Sequence, residues 1–310
     1  MVLFEFVLSQ ASLLVSMSFF TLLERKMLGS VQIRKGPNKV LMMGLGQPFM
    51  DAIKLFTKGA FKYTTAWWHP WMVAPALSLV LYLVLFEFVL SQASFAQEVE
   101  YSIVAFLGMM GLGVYVLILS GWTSNSKYSV LGAMRAVAQA VSYELALSFI
   151  ILVMAMVILS FVISDFMTGV YPLMYLYMFM FLSFLICSLA ETNRTPYDLM
   201  EGESELVSGF NTEYYSGYFA VIFMAEYLAI MMFSVFMATL WCSADIFFGS
   251  VSMTFLQHLL MGGVVSMLFL LFRSSYPRVR YDLLLLFVWG ALLPFVMLTS
   301  LLCMSYLYYG

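Results

Sequence analysis

Long apolar runs alternate with short polar stretches along the whole chain. A helix needs about 20 mainly apolar residues to cross the hydrocarbon core of a bilayer. On that measure the runs predict spans at 2–23, 68–91, 101–122, 134–161, 171–190, 216–242, 252–272 and 283–309. Helix is the expected element, because a crossing segment must satisfy every backbone N–H and C=O within itself. The chain is therefore expected to be an all-α membrane protein of about eight transmembrane helices, one integral membrane domain over residues 1–310. A shorter segment, 47–58, has a different pattern. Phe49, Ala52, Ile53 and Phe56 fall on one helical face, Asp51, Lys54 and Lys58 on the other, and Pro48 suits the first turn. Too short to span, it is expected to lie in the interfacial plane, as an anchor or as one wall of a lateral ligand entrance.

Composition supports the bilayer as solvent. The chain is 63% hydrophobic and 10% charged, where soluble domains carry roughly 25% charged residues. A net charge of −3 and the lack of any Lys/Arg-rich arm argue against nucleic acid as a partner. Cys187, Cys242 and Cys303 lie far apart in apolar stretches, without metal-site spacing. Gly108, Gly111 and Gly113 fall inside an apolar span, which makes them packing residues and not a dinucleotide fingerprint. His69 and His258 stand alone. The sequence offers no site for NADH, flavin or an iron–sulfur cluster. The first span has no basic residues ahead of it, unlike a cleavable signal. Together, 26 Met and 29 Phe suit a chain encoded and inserted inside mitochondria.

Charge orients the bundle. Arg25, Lys26, Arg34, Lys35, Lys39, Lys54, Lys58 and Lys62 fall in the first loop, Lys127 and Arg135 in the third, Arg194 in the fifth, and Arg273, Arg278 and Arg280 in the seventh; these are all 14 basic residues. By the positive-inside rule the odd loops face the matrix and both termini the intermembrane side.

The acids carry the candidate chemistry. Loop five, residues 190–213, holds Glu191, Asp198, Glu201, Glu203, Glu205 and Glu213, with only Arg194 as a nearby cation in sequence. Thr195 and Pro196 read as the cap and first position of a short helix, and Gly209 as its stop. On that helix Asp198, Glu201 and Glu205 would share a face, and close carboxylates raise one another's proton affinity. The plain alternative is a solvated acidic loop. Glu24 ends an apolar span, where a carboxylate is costly without a partner, and Glu144 and Glu226 lie well inside spans. For these two the alternative is a structural hydrogen bond to a neighbouring helix. An eleven-residue segment, 2–12, recurs unchanged at 84–94. Nothing around it matches, so it reads as a recent duplication or a sequence error and not as a solenoid repeat.

Several segments together resemble one known family, that of NADH-ubiquinone oxidoreductase chain 1, the quinone-site membrane subunit of respiratory complex I. They are 22–26 (Leu-Leu-Glu-Arg-Lys), 32–38, 47–49, 132–139 with 142–144, 190–210, 224–227 and 276–282. The resemblance covers most of the chain in order. It implies a subunit of a proton-translocating NADH:ubiquinone reductase in the mitochondrial inner membrane, with ubiquinone as substrate. FMN and iron–sulfur clusters would then sit in partner subunits only. The implied partners are other complex I subunits, those of the peripheral arm at the quinone site among them, and membrane lipids. By the same resemblance, Glu24, Arg25, Arg34, Asp198, Glu201, Glu203 and Glu205 belong to the quinone cavity and its coupling region, with Arg25 and Arg34 toward quinone. Glu144, Glu191, Glu213 and Glu226 belong to the polar proton path. Two positions depart from the family pattern: Gly59 where an acid is usual, and Gly290 where Lys is usual.

Two other readings compete: the related membrane subunit of a membrane-bound hydrogenase, and an ion-coupled secondary transporter with buried carboxylates. Agreement through loop one and the Met-rich composition favour the respiratory subunit. Transporters often show repeat halves, and none is visible here. The orientation can be checked directly. In a cysteine-free background, single cysteines at positions 62 and 98 are expected to react with a membrane-impermeant reagent from opposite faces. Labelling of both from one face would refute the topology.

Overall fold

The computed structural model describes residues 2–59, 67–94, 99–167, 173, 177–199, 209–242 and 251–309. Every regular element among them is helical: α1 (Val2–Val31), α2 (Gln47–Thr57), α3 (Trp68–Ala93), α4 (Ser102–Thr123), α5 (Lys127–Ile158), α6 (Ile163–Met167), α7 (Met178–Glu191), α8 (Ser216–Trp241), α9 (Val251–Ser275), α10 (Tyr281–Phe287) and α11 (Leu293–Tyr309). Seven helices are long and apolar enough to cross a membrane, the last formed by α10 and α11 together. The shorter apolar α7 occupies the described part of the expected fifth span. The all-α membrane fold read from the sequence is the observed one.

Boundaries moved where capping overrode hydropathy. α1 continues past the expected end at 23 to Val31. α5 begins at Lys127 and not at 134, because the Ser126 hydroxyl accepts a hydrogen bond from the Ser129 N–H and caps the helix. It stops at Leu159, which turns left-handed (φ 62°) and returns its N–H to the Ala155 carbonyl. α10 and α11 run on through a π turn at Val288–Leu292. In a regular α-helix the ring of Pro294 would meet the carbonyl of Gly290, and the widened turn relieves that clash. A side chain at Gly59 or Gly290 would meet open space, so neither departure from the family pattern disturbs packing.

α8 is the axis of the bundle, with α3, α9, α1, α2 and α6 packed around it. Its core partners include Phe106, whose ring stacks on Phe236 at 3.9 Å between centroids, and Phe184. A second, smaller cluster joins Trp71, Ala133, Ala136, Phe210 and Tyr214, with Trp71 stacked on Tyr214 at 4.9 Å. Large apolar side chains such as Leu260, Val264 and Leu301 remain exposed on the outer surface. In lipid these need no cover, and helix contacts rest instead on small residues and close packing.

Candidate functional site

Glu24 lies in the C-terminal third of α1 and is 3% exposed. The partner required by its burial comes from two distant places. Arg273, near the end of α9, forms an ion pair with Glu24 Oε1, and Arg194, just past α7, lies 3.9 Å from the same oxygen. Arg194 also lies over the Tyr227 ring of α8, 4.4 Å from its centroid. One carboxylate thus ties four helices together, facing two guanidinium groups around a small void that Thr192 also lines.

Beside this cluster, α1, α2 and α8 enclose a cavity of about 260 Å³. Met17, Leu55, Phe219 and Phe223 supply an apolar lining, and Arg25 and Asp51 supply a charged one. Arg25 Nη1 lies 2.6 Å from Asp51 Oδ2, while Gln47 donates to Asp51 Oδ1 at 2.9 Å. α2 is the short amphipathic helix expected from the sequence; Phe49 meets Phe19 of α1 edge-on, and Phe56 lines the cavity. Asp51 does not share the solvent side with Lys54, because the Arg25 pair turns it inward. The end of α2 is fixed by Ser216, whose hydroxyl donates toward the Leu55 and Lys58 carbonyls at 3.0 and 2.6 Å.

A second cavity of about 60 Å³ lies on another face of α8, among α3, α4, α5 and the end of α7. Glu191, Glu226, Tyr82, Ser78 and Asn193 line it, and it has room for about four waters. Glu191 Oε2 has no hydrogen-bond partner among the described residues. Glu144, on α5, packs against α4 where Gly111 leaves space. Its Oε1 lies 3.0 Å from the position a Cβ on Gly111 would take. Consecutive residues Glu226 and Tyr227 point to different cavities, since neighbours on a helix diverge by about 100°.

Loop five departs from the sequence expectation. Thr195 and Pro196 do not open a helix; the chain makes a turn, with the Tyr197 N–H bonded to the Arg194 carbonyl at 2.8 Å. Tertiary bonds decide this. Gln139 of α5 donates to the Ala190 and Tyr197 carbonyls, and the Val279 N–H donates to the Pro196 carbonyl. Gly209 (φ 57°) begins a 3-10 turn, Gly209–Glu213, and the residues before it, where a helix end would lie, are outside the described residues. Arg194 lies near Glu24, and Arg278 approaches Asp198 at 3.7 Å. Glu201, Glu203 and Glu205 lie outside the described residues. Glu213 is half-buried, and its Oε2 has no partner among the described residues. Arg34 stands on the exposed part of loop one with its Nε bonded to Gln32 Oε1, outside the lining of either cavity.

Sequence reasoning passed over Tyr82, Asp51, Gln139, Arg273 and Arg278 as site residues. The signal for Tyr82 and Gln139 was a polar group inside a span. Arg273 and Arg278 had been counted only as topology markers.

Membrane-crossing helices that bury ionisable side chains below the lipid-facing surface define the class: a polytopic α-helical membrane protein with a charged interior. The chain belongs to the NADH dehydrogenase family, whose profile matches residues 4–304. It is 44% identical over 298 residues to NADH-ubiquinone oxidoreductase chain 1 of Heterololigo bleekeri, covering 94% of this chain and 92% of that one. The protein of the same description from Hippopotamus amphibius is 42% identical over 306 residues (95% and 92%), and that from Aedes aegypti 41% over 296 residues (91% and 88%).

The charge cluster predicts a stability defect with a specific rescue. Removing one partner of a buried pair costs about 3–5 kcal/mol, so Glu24→Gln and Arg273→Gln should each lower the thermal midpoint of the assembled protein. The Glu24→Gln/Arg273→Gln double variant should lose less than the two single losses added. Strict additivity in a double-mutant cycle would show that the two side chains do not interact.

Proposed function

We propose that the chain is the quinone-side membrane subunit of a proton-translocating NADH:ubiquinone oxidoreductase of the mitochondrial inner membrane. Its odd loops face the matrix, where the peripheral-arm subunits dock. NADH oxidation, FMN and the iron–sulfur clusters belong to those partners. Ubiquinone is the substrate that reaches this chain, taking two electrons and two protons to become quinol.

Family membership over nearly the whole chain supports the assignment. Within the fold, one observation carries it: the cavity under α2 is apolar along its length and charged at Arg25 and Asp51. An isoprenoid tail needs the first property, and a headgroup carbonyl needs a hydrogen-bond donor. Arg25 offers several donors in a fixed fork. Arg34, on the same loop, is proposed to act at the outer approach.

The proton route is read on the other side of α8. Glu191 and Glu226 face a cavity large enough for water, and Glu144 adjoins it across Gly111. A water-filled chain of carboxylates can hand on protons where single buried acids cannot. Residues 191–194 touch both regions, with Glu191 in the second cavity and Arg194 on Glu24 and Tyr227. Asp198, Glu201, Glu203, Glu205 and Glu213 follow in the chain. Negative charge developing on the quinone raises the proton affinity of nearby carboxylates, which makes the acidic loop the coupling element in this reading.

Two experiments test it in the assembled complex. Arg25→Ala is expected to lower quinone-reductase activity about tenfold or more while NADH oxidation by a soluble artificial acceptor persists; equal loss of both would point to failed assembly. Glu226→Gln and Glu144→Gln keep size and hydrogen bonding but remove titration. Each is expected to reduce proton pumping in vesicles with assembly intact, and full pumping in both would end the relay assignment.

A further inference from the structure

Gln139 is completely buried on α5. A carboxamide in such a place costs stability for each polar atom left unpaired. Its Oε1 has no partner among the described residues, and its two donors are both used. Its Nε2 donates to the Ala190 carbonyl at 2.8 Å and to the Tyr197 carbonyl at 2.9 Å. Two carbonyls on one atom identify that atom as the nitrogen, since only the NH₂ end can donate. The Ala190 carbonyl belongs to the last turn of α7 and also accepts from the Asn193 N–H at 3.2 Å, so Gln139 adds a second donor to it. One side chain therefore caps α7 and draws the chain from Ala190 to Tyr197 into a closed turn around its amide.

That turn carries the groups on which the functional reading depends. Glu191 points to the carboxylate-lined cavity, and Arg194 pairs with Glu24. Asp198 follows at once, facing Arg278. The far end of the acidic loop lands on the same helix. A Cβ on Gly132 would stand 2.9 Å from the Cα of Gly209 and 3.0 Å from the Phe210 nitrogen, so only glycine lets the chain lie against α5 there. Gly132 and Gln139 are seven residues apart, two helical turns on one face, about 10 Å along the axis. Both ends of the acidic loop thus stand on one face of α5. Ala133 and Ala136, buried between them, pack with Phe210.

We infer that Gln139 is a positioning residue, whose carboxamide fixes the start of the acidic loop and the 191–194 turn against α5 so that Glu191 and Arg194 keep to their separate sites. The inference rests on the reading that this loop couples quinone chemistry to the membrane, and the experiment separates the two. Gln139→Leu fills the same volume without donors. Gln139→Asn keeps the amide but is one methylene short of spanning both carbonyls, and serves if the Leu variant fails to assemble.

In the assembled complex, amide exchange in peptides covering 190–199 is expected to accelerate about tenfold or more on loss of the two bonds, with 256–272 unchanged. Quinone reduction and protons pumped per electron are expected to fall, while oxidation of NADH by hexacyanoferrate(III) stays at the parent level. Unchanged exchange at 190–199 in the variants overturns the inference, whatever the activity. Accelerated exchange with full quinone reduction and full pumping upholds the clamp and overturns the coupling reading beneath it.

Discussion

Glu24 and the two guanidinium groups facing it hold the interior of this protein together. A carboxylate at 3% exposure in a lipid-facing bundle persists only with a cation against it. Here the cations come from the end of α9 and from the turn after α7. The pairing fixes where α1 ends its membrane passage and where α9 must begin to leave it. It also fixes which way the 191–194 turn faces.

From that constraint follows the division of labour around α8. One face of the helix carries Phe219, Phe223 and Tyr227 toward the apolar cavity beneath α2; another carries Ile222, Ala225 and Glu226 toward the small polar one. The two spaces are one helix apart. An apolar space and a carboxylate-lined space can then lie close without merging, because the helix between them satisfies its own backbone. The turn between Glu191 and Arg194, clasped by Gln139, reaches toward both spaces.

Much of this was legible in the sequence, for identifiable reasons. Span positions follow from the cost of exposing peptide groups to hydrocarbon, a constraint that acts on each segment separately. The need of Glu24 for a partner was legible on the same grounds, and so was the amphipathic helix α2. The identity of the partners was not. Arg273 lies some 250 residues from Glu24 along the chain, and no local rule relates them. The turn at 195–198 was misread as a helix start because local capping preferences are worth about 1 kcal/mol, and tertiary bonds from Gln139 and Val279 outweigh them.

The segment that occurs twice separates what the sequence determined from what the fold decided. Residues 2–12 and 84–94 are identical, and both are helical, in α1 and α3. Helix was fixed by the eleven residues themselves, since apolar side chains in lipid leave the backbone no other way to bond. Their serines make the same bonds to the carbonyl three residues back, but their burial differs. Val7 is 63% exposed where its counterpart Val89 is fully buried, and Gln92 is buried while its twin Gln10 reaches across to Glu87 at 3.0 Å. Nothing within the segment distinguishes the two copies. Burial depends on which neighbours the rest of the chain brings up, and in a bilayer, where lipid solvates an apolar face as well as protein does, only that packing can decide it.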